Sequence, residues 1–281
     1  MGGGAWTTSN YVSYTTSKGL SYDTSTSRAV LDSLQDNFKA KHIHKELDPK
    51  NIMRECRDSE EHPYTVPVIL CVDVTGSMGS AAVETAKSLN NIMEDILSKI
   101  QDVEFCIMGI GDLAYDYAPI QMSQFESDIR IAEHLDKVYF EFGGGGNSFE
   151  SYTAAWYMAA RHTDLDCWKR GKKGIIITLG DENMNPYLPK EPLQNVTGDI
   201  LQADIETKDL YEEVKDKYDV YHIYVDHGYG RYKASSELTF TEVIPKENYF
   251  SVTINALPDT IARIVTGNIV RESNSSEGIS W

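Results

Sequence analysis

The stretch VILCVDVTGSMGS, residues 68–80, changes character halfway along. Val68 to Val72 is an uninterrupted apolar run of strand length, the pattern of a strand covered on both faces. Asp73 then ends the strand, Thr75 and Ser77 follow at every second position, and a helix is expected to begin near Ser80. A tight turn at Gly76 lets the three side chains share one space. They offer one carboxylate and two hydroxyls, hard oxygen donors that suit Mg2+ (or Mn2+ and Ca2+) and suit zinc poorly. Asp, Thr and Ser are also the commonest residues at helix caps and turns, so the stretch alone leaves a polar cap and a cation site both open.

Outward from this stretch the same strand-then-helix rhythm recurs. Ala82, Ala86, Leu89, Met93, Ile96 and Ile100 fall at alternating spacings of four and three, which lines one face of a helix over about 80–100. VEFCIMGIGD (103–112) reads as a second strand, and YAPIQM (117–122) as its antiparallel hairpin partner, because a short turn cannot join parallel strands. SDIRIAEHLDKV is a helix, and GGGGN breaks the chain before another, with Phe149, Tyr152, Trp156 and Ala159 on one face. GIIITLGDEN is a third buried strand, TKDLYEEVKDKY a helix, DVYHIYVD and YFSVT strands, and ALPDTIARIVTGNIV a closing helix. This alternation predicts an α/β fold: a doubly wound, mostly parallel sheet with one antiparallel strand and helices on both faces. We expect an N-terminal extension over 1–62, a Gly/Ser/Thr-rich arm and a short helix, then a domain over 63–271 and a flexible tail over 272–281. Trp6, Tyr11, Tyr14 and Tyr22 give the arm docking residues. The proline-bearing segment 181–199, with Pro186, Pro189 and Pro192, reads as a stiff connection without helix or strand.

In such sheets ligands lie beyond the carboxyl ends of the strands, which is where Asp73 sits. The D-x-T-G-S spacing and the strand order resemble the von Willebrand factor A family, whose metal-ion-dependent adhesion site opens with D-x-[ST]-x-S after the first strand. DVTGSMG is similar to the form found in intracellular bacterial and phage members, over residues 64 to 270. The resemblance implies a Rossmann-like fold and an Mg2+ ion held by Asp73, Thr75, Ser77, Asn147 and Asp181. Asn147 stands where the family's GGGDxPE pattern has Asp, with Ser148 as its competitor, and Asp181 lies one residue later than the family's acid, with Glu182 as its competitor. Glu150 is expected in the first turn of the next helix, where the helix dipole favours an acid with or without an ion. Asp112 and Asp116 fall in the hairpin turn at the same sheet edge, and Asp226, His227, Tyr229 and Arg231 in the loop after the fifth strand.

The function implied is a protein-interaction module whose ion takes a partner's Asp or Glu, working with an AAA+ ATPase or a larger assembly. Two other readings compete: a metal-dependent phosphohydrolase, and a structural component of a bacterial or phage assembly. A phosphohydrolase of the haloacid dehalogenase type, with Asp73 as nucleophile, needs a second acid two residues on, and Thr75 occupies that place. We therefore expect no enzyme. Forty-three acidic against 26 basic residues, a net charge of −17, repel phosphate backbones and anionic lipids, so neither nucleic acid nor membrane is an expected partner. The N-terminus lacks a basic-then-apolar leader pattern, no stretch reaches membrane-spanning length, and Cys56, Cys71, Cys106 and Cys167 show no zinc spacing. A cytoplasmic location is expected. His42 and His44 lack a third ligand at metal spacing and read as solvated residues at a helix end.

Overall fold

A computed structural model describes residues 4–18, 42–141, 147–228 and 231–276. Six strands form the central sheet: β1 (Val66–Asp73), β2 (Val103–Ile110), β3 (Ile120–Met122), β4 (Gly174–Gly180), β5 (Tyr218–Asp226) and β6 (Tyr249–Thr253). Their order is β6-β5-β4-β1-β2-β3, and only β3 runs antiparallel to its neighbour. Among the described residues the α-helices are α1 (Thr8–Ser17), α2 (Gly79–Leu97), α3 (Arg130–Asp136) and α4 (Thr153–Arg161), then α5 (Lys190–Thr197), α6 (Thr207–Val214), α7 (Lys233–Thr241) and α8 (Leu257–Ser276). This is the doubly wound, mostly parallel sheet that the sequence predicts.

The apolar runs have a simple cause: each central strand feeds two cores with alternate residues. On β1, Val68, Leu70 and Val72 face the core shared with α2 and α8, while Ile69 and Cys71 face the core of Trp156, Leu210 and Phe240. From β1 the chain builds outward through β2 and β3, then crosses back to place β4, β5 and β6 on the other side. The order therefore reverses between β1 and β4, and the crevice of this fold class opens at their carboxyl ends. Asp73 and Gly180 are the residues that reach it.

The structure corrects four sequence expectations. Where the arm carries no apolar period, Thr8–Ser17 is a helix, started by the Thr7 side chain accepting from Asn10 N at 3.2 Å. It is held by tertiary contacts rather than by an amphipathic stripe. Trp6 and Tyr11 belong to the core of the sheet's α2 face, with Trp6 Nε1 donating to Asn90 Oδ1 at 3.1 Å. Leu47 joins the same core and Cys56 the other. Second, Phe149 and Glu150 pair in parallel with Asn183 and Met184, so the helix starts only at Thr153 and Glu150 is not in its first turn. Third, Lys190–Thr197 is helical despite its prolines: Pro189 is the N-cap and Pro192 lies in the first turn, where no intrahelical N–H bond is lost. Fourth, α8 runs on to Ser276, through the beginning of the expected tail. Tyr22, and most of the stretch SRAVLDSLQDNFKAKHIHKEL (27–47) that reads as the short helix of the extension, lie outside the described residues.

The Tyr14 hydroxyl on α1 donates to the half-buried side of Asp136 at the end of α3. Tyr14→Phe leaves that carboxylate short of a donor and is expected to lower stability by about 1.5 kcal/mol. Urea denaturation, with proteolysis of α1 as a second reading, checks this. An unchanged midpoint would mean that α1 contributes nothing through this bond.

Candidate functional site

Asp73 is fully buried at the end of β1. Its Oδ1 accepts from Thr75 N at 2.8 Å and from Thr75 Oγ1 at 2.6 Å, and its Oδ2 accepts from the Tyr152 hydroxyl at 2.8 Å. The chain turns here because the Asp side chain caps its own backbone two residues on, after which Gly76–Met78 makes one short helical turn into α2. Three segments meet at this point: the end of β1, the residues before α4 through Tyr152, and the loop after β4. Tyr152 ties them, since its oxygen also lies 3.3 Å from the Glu182 N–H. That closeness depends on Gly180, where a Cβ would stand 2.0 Å from the Tyr152 hydroxyl.

The electrostatics are one-sided. Burial, and next the Asp181 charge, push the Asp73 carboxyl up to about 7 despite its three hydrogen bonds. Glu150, 4% exposed, is pushed up to about 11 by burial and then by Asp73, Asp116, Asp112 and Glu182. Burial and Asp181 push Glu182 up to about 7, with Arg231 opposing. One oxygen of Glu150 and one of Glu182 are buried without a hydrogen-bond partner. His227 Nε2 approaches Asp181 Oδ2 only to 3.6 Å.

Of the expected ligands, the structure brings together Asp73 and Thr75 by direct bonds and places Asp181 within electrostatic reach of Asp73. Asn147 is engaged elsewhere: its Nδ2 donates to Asp112 Oδ2 at 2.7 Å and its Oδ1 accepts from Phe149 N at 2.8 Å. Ser148 gives its carbonyl to Asn183 Nδ2 at 2.8 Å. The Ser77 side chain, the four glycines before Asn147 and Tyr229 lie outside what is described. Asp112 is buried rather than on an exposed rim, and Asp116 Oδ2 accepts from its backbone N–H at 2.7 Å. Asp226 pairs with Lys233 at 2.8 Å.

The donor set fits a hard cation. Thr75 can give its proton to Asp73 and still offer oxygen lone pairs outward. The partnerless oxygen of Glu150, facing several further acids, marks a deficit of positive charge in a buried place. Among the described residues no three His, Cys, Asp or Glu side chains converge as ligands on one point. A site here therefore depends on hydroxyl oxygens, as the D-x-T-G-S spacing implies. Tyr152 and Gly180 are the site residues that the sequence reading missed, and Glu150, read there as a helix-start acid, joins them. The only signal was the glycine at the end of a buried strand, which marks a close approach.

No family model matches the chain, and no curated protein matches it. Among solved structures the chain is similar to the pilus adhesin SpaC from Lactobacillus rhamnosus GG in its open conformation, with 14% identity and a TM-score of 0.48 over 78% of this chain. It spans about a third of SpaC's length, 31%. It is also similar to the vWF domain of the type V pili tip protein Mfa5 from Porphyromonas gingivalis, with 12% identity, a TM-score of 0.48 and coverage of 73% of this chain and 95% of that one. Proximal thread matrix protein 1 from the mussel byssus gives 11% identity and a TM-score of 0.48 over 72% of this chain and 47% of the other. The fold stands on the strand order and register described above. Among the described residues no helix is long and apolar enough to cross a membrane.

Proposed function

We propose that this chain is a protein-interaction module in which a divalent cation, Mg2+ by the hardness of the donors, sits beyond the ends of β1 and β4 and takes an acidic side chain of a partner. The observation that carries the reading is the convergence of Asp73, Thr75 and the Asp181 loop at the reversal of strand order, in a place where buried carboxylates outnumber cations. When bound, the ion supplies a positive centre with a coordination position left for a carboxylate. Thr75 and Ser77 supply neutral oxygens, so the charge is not cancelled and a further acid is favoured. Tyr152 holds the Asp73 carboxylate in place. A cytoplasmic setting and an AAA+ ATPase or larger assembly as partner belong to the same proposal, through the sequence resemblance.

The reading carries no turnover. Asp73 accepts three hydrogen bonds, which blunts it as a nucleophile, and Thr75 occupies the place a phosphohydrolase gives to its second acid. Thermal unfolding in chelator and in millimolar Mg2+ or Mn2+ tests the proposal, because a ligand that binds only the folded chain raises its stability. We expect about 1 kcal/mol of stabilisation for the parent protein at a modest excess over Kd. Asp73→Asn should keep its fold and gain nothing from the ion. Identical curves with and without the ion in the parent protein would sink the reading.

A further inference from the structure

Next to the candidate site lies a cavity of about 550 Å3 between the loop after β4, the start of α6 and the end of α7. Phe149, Met184, Pro186 and Val243 give it an apolar floor and wall. Its remaining polar lining is already engaged. Thr207 Oγ1 donates to Asn185 O at 2.7 Å, and Thr239 Oγ1 donates to Ser236 O at 3.0 Å and accepts from Met184 N at 3.2 Å. The Asn185 amide donates to Thr153 Oγ1 at 2.6 Å and to Tyr187 O at 3.0 Å. Recognition of a polar ligand therefore falls to the rim, where Glu206, Asp209 and Glu242 are exposed and Lys208 offsets one of the three. None of these three acids is in a salt bridge among the described residues.

An apolar cavity with a negative rim fits a side chain that has an apolar stem and a cationic head. Phe149, 37% exposed, puts an aromatic ring at the cavity, and a planar guanidinium stacks on such a ring while pairing with carboxylates. The net charge of −17 draws a cationic segment from a distance. Phe149 also fixes where the cavity lies: it adjoins Glu150 and pairs with Asn183, two residues beyond Asp181. One short segment of a partner can therefore reach both places.

We propose that this cavity is a second recognition site, taking an arginine side chain of the same partner segment whose acidic residue meets the candidate cation site. The proposal deepens the interaction reading and rests on it for assigning the arginine to a protein partner. The fit of the cavity to a guanidinium stands without the ion. Such a motif, an acid and an arginine a few residues apart, also resolves a conflict: an acidic partner alone would be repelled by the acidic surface.

The test uses the full chain with 13C-labelled methionine methyls, titrated with N-acetylarginine amide and with its neutral isostere N-acetylcitrulline amide, each in chelator and in Mg2+. The Met184 signal should move with the arginine probe in both conditions, while the core residues Met78, Met108 and Met158 stay still. The citrulline probe should bind about tenfold more weakly, and Glu242→Gln, an exposed change, should weaken the arginine probe about threefold. Equal shifts from the two probes, or no Met184 shift from either, overturn the assignment. An arginine shift that survives in a protein indifferent to Mg2+ supports the cavity and overturns the cation reading alone. Loss of the arginine shift in chelator overturns the cavity as a site of its own.

Discussion

Gly180→Ala is expected to destabilise the protein by about 3 kcal/mol, at the upper end of what overpacking costs. The added Cβ would lie 2.0, 2.3 and 2.5 Å from the hydroxyl oxygen, Cζ and Cε1 of Tyr152, and the ring cannot swing clear. It is fully buried, with its centroid 5.2 Å from the His222 ring and 5.6 Å from Phe240. Tyr152→Leu removes the three atoms in the way. In that background Gly180→Ala should cost under about 1 kcal/mol, so the two changes should be strongly non-additive in urea denaturation. Equal costs in the two backgrounds would mean that the glycine serves something other than the approach of Tyr152. In the single Gly180→Ala variant, any stabilisation by Mg2+ should also fall, since Tyr152 is what holds Asp73.

Glu150→Gln is expected to act in the opposite direction and make the metal-free protein more stable. The folded chain holds the Glu150 carboxyl up at about 11, while an unfolded chain ionises it near its ordinary value of about 4.5. Between these values the folded state carries the extra proton, so stability falls as pH rises, by up to about 1.4 kcal/mol per pH unit. Gln keeps the neutral shape and removes that dependence. The variant should therefore exceed the parent protein by under about 1 kcal/mol near pH 5 and by about 5 kcal/mol at pH 8, measured in chelator. Asp73 and Glu182, each pushed up to about 7, leave a shallower slope of the same sign in the variant. Added Mg2+ should narrow the gap, because a cation stabilises the cluster more when Glu150 itself can ionise. Parallel stability curves over this pH range would show that Glu150 is not held neutral.

The central sheet was legible because β1, β2 and β4 are covered on both faces, so their sequences stay mostly apolar until the strand reaches the crevice. Asp73 and Asp181 were legible for the same reason, as the first charges after buried runs. What escaped was set by contacts distant in sequence. Helix α1 has no apolar period, and contacts with Asn90, Glu94, Ser127 and Asp136 and the core around Tyr11 keep it in place. Glu150 looks like a helix-start acid until its backbone is seen paired with Met184. Phe149, placed on a helix face by spacing, instead pairs with Asn183 and lines the cavity beside the loop after β4. The prolines of 186–192 misled because a proline forbids a helix interior and not its first turn.

The docking of α1 has a consequence for the order of assembly. Trp6 and Tyr11 share one core with Ile261 and Val265 of α8, so that face holds residues from near both limits of the described chain. During synthesis the face cannot close until α8 has left the ribosome, however early α1 and the first strands appear. The opposite core, built from residues 56 to 244, is completed sooner. Pairings this far apart in sequence are slow to form. For that interval the nascent chain presents an open apolar sheet face, the kind of surface chaperones shield.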